Sequence, residues 1–231
     1  MQTDPRNQSP FNTLPPVVTA LAVVIVGIEL LFFAGTAGFV GGRDAVGWRL
    51  NAIRDWAVID PVWSWMWANM AFPPGEAARW LAYPLIHNGF THAALVAVFV
   101  LALGNAVAPV YRGWRVGLLF FGPALAGGLA YVIVWNADAP LFGGYPGAYG
   151  LIGAFTYLTQ RGLTRADPSR AFLLIGLLLA IQPVFGLLTG AGFSWLPLWT
   201  ADLAGAAAGY ALAGAMFPGA MARLRDRLRH R

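Results

Sequence analysis

Few side chains in this sequence could do chemistry: two histidines five residues apart, His87 and His92, two acids inside apolar runs, Glu29 and Asp202, and Tyr145 in a glycine-rich stretch. The chain has no cysteine, so thiolate nucleophiles, disulfides and cysteine-ligated metals are excluded. His87, His92 and Asp202 are ligand types that zinc accepts. His87, however, is expected nearer the membrane interface than the other two, so no metal and no cofactor is expected. Tyr145 with Asp202 as its base would be badly matched, a phenol near pKa 10 against a carboxylate near 4. The serines are Ser9, Ser64, Ser169 and Ser194, all outside the glycine-rich stretch.

These residues are embedded in a very apolar chain. Of 231 residues 58% are hydrophobic and only 11% charged, with a mean hydropathy of +0.61, where soluble domains carry about 25% charged residues. The class is an all-α integral membrane protein, and at about 20 residues per crossing the apolar runs give six spans: 16–40, 91–110, 114–135, 146–160, 170–189 with a kink at Pro183, and 198–217. One membrane domain, 16–217, is then flanked by an N-terminal segment, 1–15, and a basic tail, 218–231.

The net charge of +5 is all arginine, since there is no lysine. Arg6, Arg112, Arg115, Arg161, Arg165, Arg170 and the arginines of the tail fall on one side of a six-span chain, which puts both termini in the cytoplasm. That pattern suits a bacterial inner membrane, with the lipid bilayer as partner and no nucleic acid. The long segment 41–86 lies on the opposite face and carries six of the ten tryptophans, so it is expected in the headgroup region with amphipathic helices around 46–56 and 75–85. Glu29 inside the first span must be protonated or hydrogen-bonded, because an acid in a span costs about 2.5–3.5 kcal/mol otherwise.

The stretch Leu141–Phe155, LFGGYPGAYGLIGAF, is the centre of the design. Gly143, Gly144, Gly147, Gly150 and Gly153 make it a poor isolated helix, each interior glycine costing about 1 kcal/mol against alanine. Small residues let membrane helices meet backbone to backbone. The sixth span offers the matching face, Gly205 and Gly209, three residues beyond Asp202. Pro146 suits a first helical turn, and an unwound approach to it is tolerated at membrane depth only beside protein or a wet cavity. A site is therefore expected at the mouth of the fourth span, with Asp202 at the same depth.

In this order, a tryptophan-rich first loop, Arg79 before His87, the H-x4-H of His87 and His92, the glycine-rich fourth span and the Gly205-xxx-Gly209 sixth span resemble the rhomboid family of intramembrane serine proteases. The resemblance implies a six-helix rhomboid-like bundle. It also implies a catalytic serine in G-x-S-G, where this chain reads Gly144-Tyr145-Pro146-Gly147, and a histidine before the sixth-span glycines, where it has Asp202. The family's oxyanion asparagine position is Val96, and only His92 is retained.

The expectation is a catalytically degenerate pseudoprotease that binds transmembrane helices of other membrane proteins, as a chaperone, regulator or accessory subunit. Its groove would be built from His87, His92, Gly144, Tyr145, Pro146, Gly147, Tyr149, Asp202, Gly205 and Gly209. The alternatives are a peptidase working by unorthodox residues and a small transporter or proton relay using Glu29, Asp202 and His92. Asp202 is expected to pair with His92, directly or through one water, or to cap the sixth span, and the two roles are compatible.

Overall fold

The computed structural model describes residues 14–135, 139–190 and 192–218. Most of the N-terminal segment and nearly all of the basic tail lie outside these residues. Nine α-helices are present among them: α1 Pro16–Thr36, α2 Trp48–Trp56, α3 Asp60–Ala68, α4 Pro74–Ala82, α5 Phe90–Val107, α6 Trp114–Val134, α7 Tyr145–Gln160, α8 Leu173–Leu188 and α9 Leu196–Met216. The long ones, α1 and α5 to α9, are the six expected spans. By length and composition alone α1, α5, α6 and the stretch Pro168–Leu188 are apolar and long enough to cross a membrane. The other two, α7 and α9, are short or diluted by glycine and alanine.

α7 is the axis of the bundle. Every residue from Pro146 to Ala154 is buried, because α5, α6 and α9 pack around it. A side chain at Gly205 would collide with the Pro146 backbone, one at Gly209 with the Gly150 backbone, and one at Gly153 with the Ala206 carbonyl. The two helices therefore touch main chain to main chain, as small residues permit. Pro123 of α6 fills the notch at Gly150, and Phe120 covers Gly147. α1 packs on α5 at one edge, with Val18 against Gly104.

α8 is the exception. Gly186 is its one buried residue, and Leu177, Val184, Phe185 and Leu188 are exposed. Three polar links tie it to the bundle: the Tyr149 hydroxyl donates to the Leu178 carbonyl at 3.0 Å, the Trp199 indole N–H to the Leu179 carbonyl at 2.8 Å, and the Gln182 amide to Asp202 at 2.6 Å. Pro183, where a kink was expected, lies within the helix.

The first span ends earlier than expected, and the segment after it holds a further helix. α1 stops at Thr36 rather than at residue 40, since Gly38 and Gly41 take left-handed φ of 79° and 74° and turn the chain into the surface segment. That segment contains an unforeseen helix, α3. Its Trp63 does not simply face lipid headgroups: it packs edge-on against Trp67 and Trp80 at 5.5 and 5.3 Å, and Trp80 lies over Gly128 of α6.

The surface segment is bolted down by arginines. Arg79 pairs with Glu76 and donates to the carbonyls of Arg54 and Ala57 at 2.9 and 3.1 Å. Arg49 of α2 forks onto both oxygens of Glu29 at 2.7 Å, which answers how α1 carries a buried acid.

Candidate functional site

The approach to α7 is irregular, as glycines allow. Leu141 forms an isolated antiparallel bridge with Val58 of the surface segment, and the Gly143 N–H donates to the Tyr83 carbonyl at 2.9 Å. Gly143 has φ of 105° and sits against the His92 ring, so a side chain there would be both strained and obstructed. Gly144 is the N-cap residue of α7, and its N–H donates to His87 Nε2 at 3.2 Å.

His87 is thereby a structural ligand of the α7 mouth. It is 1% exposed, because its carbonyl is held by Arg49 at 2.7 Å and its ring is covered by His92. Burial, with His92 beside it, pushes its pKa down to about 3. The ring is neutral near pH 7, its Nε2 lone pair used by Gly144. His92 meets His87 edge-on at 4.9 Å and stacks on Tyr145 at 4.8 Å with 21° between the planes. The backbone N–H of Asn88 donates to His92 Nδ1 at 3.4 Å. Both imidazoles thus spend a lone pair on a backbone N–H, and no group of three His, Asp or Glu suited to a metal occurs among the described residues.

A cavity of about 530 Å³ opens at this mouth, between α5, α7, α8 and α9. Of the residues expected to form the groove, His92, Tyr145, Pro146, Tyr149 and Asp202 are on its wall. Five others are not. His87 and Gly144 bind one another behind the wall, Gly147 is covered by Phe120, and Gly205 and Gly209 are spent on the seam with α7. Val96 packs against Gly144.

The rest of the wall is apolar, including Phe99, Phe142 and Leu178, with Gln182 as the added polar group. Its rim is formed by Leu95 of α5, Ile181 of α8 and Leu198 of α9, which are 46%, 51% and 49% exposed. The cavity therefore opens on the apolar flank of the bundle.

Asp202 is 3% exposed and accepts from Gln182 Nε2 at 2.6 Å. No direct bond joins it to His92, with which a pairing, directly or through one water, was expected; both residues line the cavity. Nor does Asp202 cap α9: that helix starts at Leu196, with Pro197 in its first turn, which places the acid inside the helix. Gln182 was not foreseen, since a single amide in an apolar run before a proline carries no pairing signal.

Residues 74–219 match the sequence model of the family described as Rhomboid domain, more than half of the chain. The chain belongs to the rhomboid family. The rhomboid match begins at α4, so α1, Glu29 and Arg49 lie ahead of it. This rhomboid chain is similar to Rhomboid-related protein 2 of Mus musculus, 35% identical over 80 residues, which is 35% of this chain and 26% of the relative. It is also similar to Rhomboid-related protein 3 of Homo sapiens, 36% identical over 76 residues, or 33% of this chain and 19% of the relative. The aligned parts thus span only about a quarter and a fifth of those relatives. Within the rhomboid bundle, the cavity wall carries a proline and a tyrosine at the mouth of α7 and a carboxylate on α9, and among the described residues no serine.

Proposed function

We propose that this rhomboid-family membrane protein does not hydrolyse peptide bonds by a serine mechanism and instead binds transmembrane segments of partner membrane proteins. The observation that carries the reading is the composition of the cavity at the α7 mouth. Tyr145 and Pro146 occupy the motif where the family resemblance calls for the nucleophile, and Asp202 occupies the position of the base. Losing either member of such a unit costs about 10⁶ in kcat. The cavity is nonetheless kept open, apolar and rimmed by half-exposed leucine and isoleucine, which is how a site for an apolar helix would be built.

In this reading the surface segment from α2 to α4 lies on one membrane face. The loops carrying Arg112 and Arg115, and Arg161, Arg165 and Arg170, lie on the other with both termini, in the cytoplasm. Residues 16–217 act as one membrane domain.

The test is association without cleavage. Donor-labelled protein and an acceptor-labelled model transmembrane peptide are placed in vesicles, with energy transfer and peptide integrity followed together. The expected result is saturable transfer with intact peptide, relieved by unlabelled peptide and weakened by filling the cavity with Leu178→Trp. Absence of saturable transfer would remove the reading.

A further inference from the structure

The acid on the cavity wall has an amide for a partner where a cation would be expected. Asp202 is almost fully buried in the second turn of α9, accepts from Gln182, and shares the cavity with two tyrosines and His92. Among the described residues no arginine is on that wall, and the chain has no lysine to supply. Glu29, the other acid buried in a span, is treated differently: Arg49 takes both of its oxygens. A carboxylate offers about four lone-pair sites and the Gln182 bond uses one.

An ionisable side chain inside a span marks a functional site unless it is paired within the protein. A site that leaves a carboxyl group at membrane depth is complementary to a group equally disfavoured in lipid, a lysine or arginine within a partner helix. Each would relieve the other of an apolar environment, and the half-exposed rim of Leu95 and Ile181 gives such a helix a lateral way to the acid.

Building on the transmembrane-binding reading, we propose that Asp202, with Gln182, is a recognition site for a basic side chain in the membrane-embedded part of a partner helix. Arginine or lysine at mid-span would be selected over an apolar residue of the same length. Gln182 holds one carboxylate oxygen and sets the orientation of the other. Because the same amide ties α8 to α9, a cation on the other carboxylate oxygen would sit beside one of the three polar links that hold α8.

The experiment uses the full chain in phosphatidylcholine vesicles and two peptides of alternating leucine and alanine with tryptophan ends, differing at one central position. One carries lysine there, the other norleucine, which has nearly the same shape without the charge. The expected result is association of the lysine peptide at least about tenfold tighter than its norleucine twin, with the ratio falling to about one in Asp202→Asn, which keeps an acceptor for Gln182. Equal affinity of the two peptides for the wild-type chain would overturn the inference and leave the transmembrane-binding reading standing. A lysine preference that survives Asp202→Asn would also overturn it, and association of neither peptide would overturn both. The wild-type comparison needs no variant, so a misfolded mutant would not decide the matter.

Discussion

Arg49 grips Glu29 with two hydrogen bonds of 2.7 Å, and the same guanidinium donates to the carbonyl of His87 at 2.7 Å. One side chain therefore joins the first membrane helix, the surface segment and the residue that holds the mouth of α7. The guanidinium also lies over the Phe32 ring at 5.3 Å from its centre.

Removing one member of this pair should be far worse than replacing both. Glu29→Gln or Arg49→Met alone leaves a buried charge without its partner, for which about 3 kcal/mol is expected, the low end of the range because Arg49 keeps 20% side-chain exposure. The double replacement Glu29→Met with Arg49→Met should recover most of that. Denaturant unfolding in mild detergent checks it, and single changes costing under about 0.5 kcal/mol would show the pair to be incidental.

The glycines of the bundle should divide sharply. Gly209→Ala drives a methyl group into the Gly150 backbone and should cost about 1–3 kcal/mol or more. Gly176→Ala, in α8 with nothing within 4 Å, should be neutral or stabilise by up to about 1 kcal/mol through helix propensity. Thermal unfolding of the two variants side by side is the measurement, and similar losses in both would contradict the seam.

Acid should weaken the α7 mouth through His87. The folded pKa is lowered from 6.5 to about 3, so the neutral ring is favoured on folding. Its contribution is complete above the unfolded value and is lost as pH falls from about 6.5 towards 3. His87→Gln keeps an acceptor for the Gly144 N–H and removes the titration, so its stability should fall less steeply between about pH 6.5 and pH 4. Parallel slopes for the two proteins would remove His87 from the acid response.

No proteolysis is expected. Purified protein in liposomes should leave transmembrane substrates of rhomboid proteases intact, and a fluorophosphonate should not label it. Cleavage above background that vanishes on Tyr145→Phe or Asp202→Asn would establish an unorthodox peptidase instead.

How legible this was depends on the range of each interaction. The spans could be read because hydropathy is local. The α7–α9 seam could be read because Gly205 and Gly209 repeat at a helical period opposite another glycine-rich helix. The partner of Glu29 could not, since Arg49 is 20 residues away beside nearer acids, and nothing in a single sequence ranks those choices. α3 was hidden because tryptophan at a membrane surface and tryptophan in a small core look alike until Trp63 is seen against Trp80. For the cavity, His92, Tyr145 and Asp202 were found from residue type. Leu95, Ile181 and Leu198 were missed because an apolar residue at a rim reads like any other residue of a span.

The meshing of α7 and α9 has a mechanical meaning. Gly205 and Gly209 of one helix bear on Pro146 and Gly150 of the other, teeth spaced four residues apart on both sides, so the pair is indexed like two racks. The next register is a whole turn away, about 5.4 Å, and would bring Ala213 or Ala201 where a glycine must be. Depth is thus set by the backbone and chemistry by whatever side chain hangs at position 202. Replacing that side chain alters what is offered to the cavity without altering where it is offered, so the scaffold can exchange a histidine for an aspartate and keep the address.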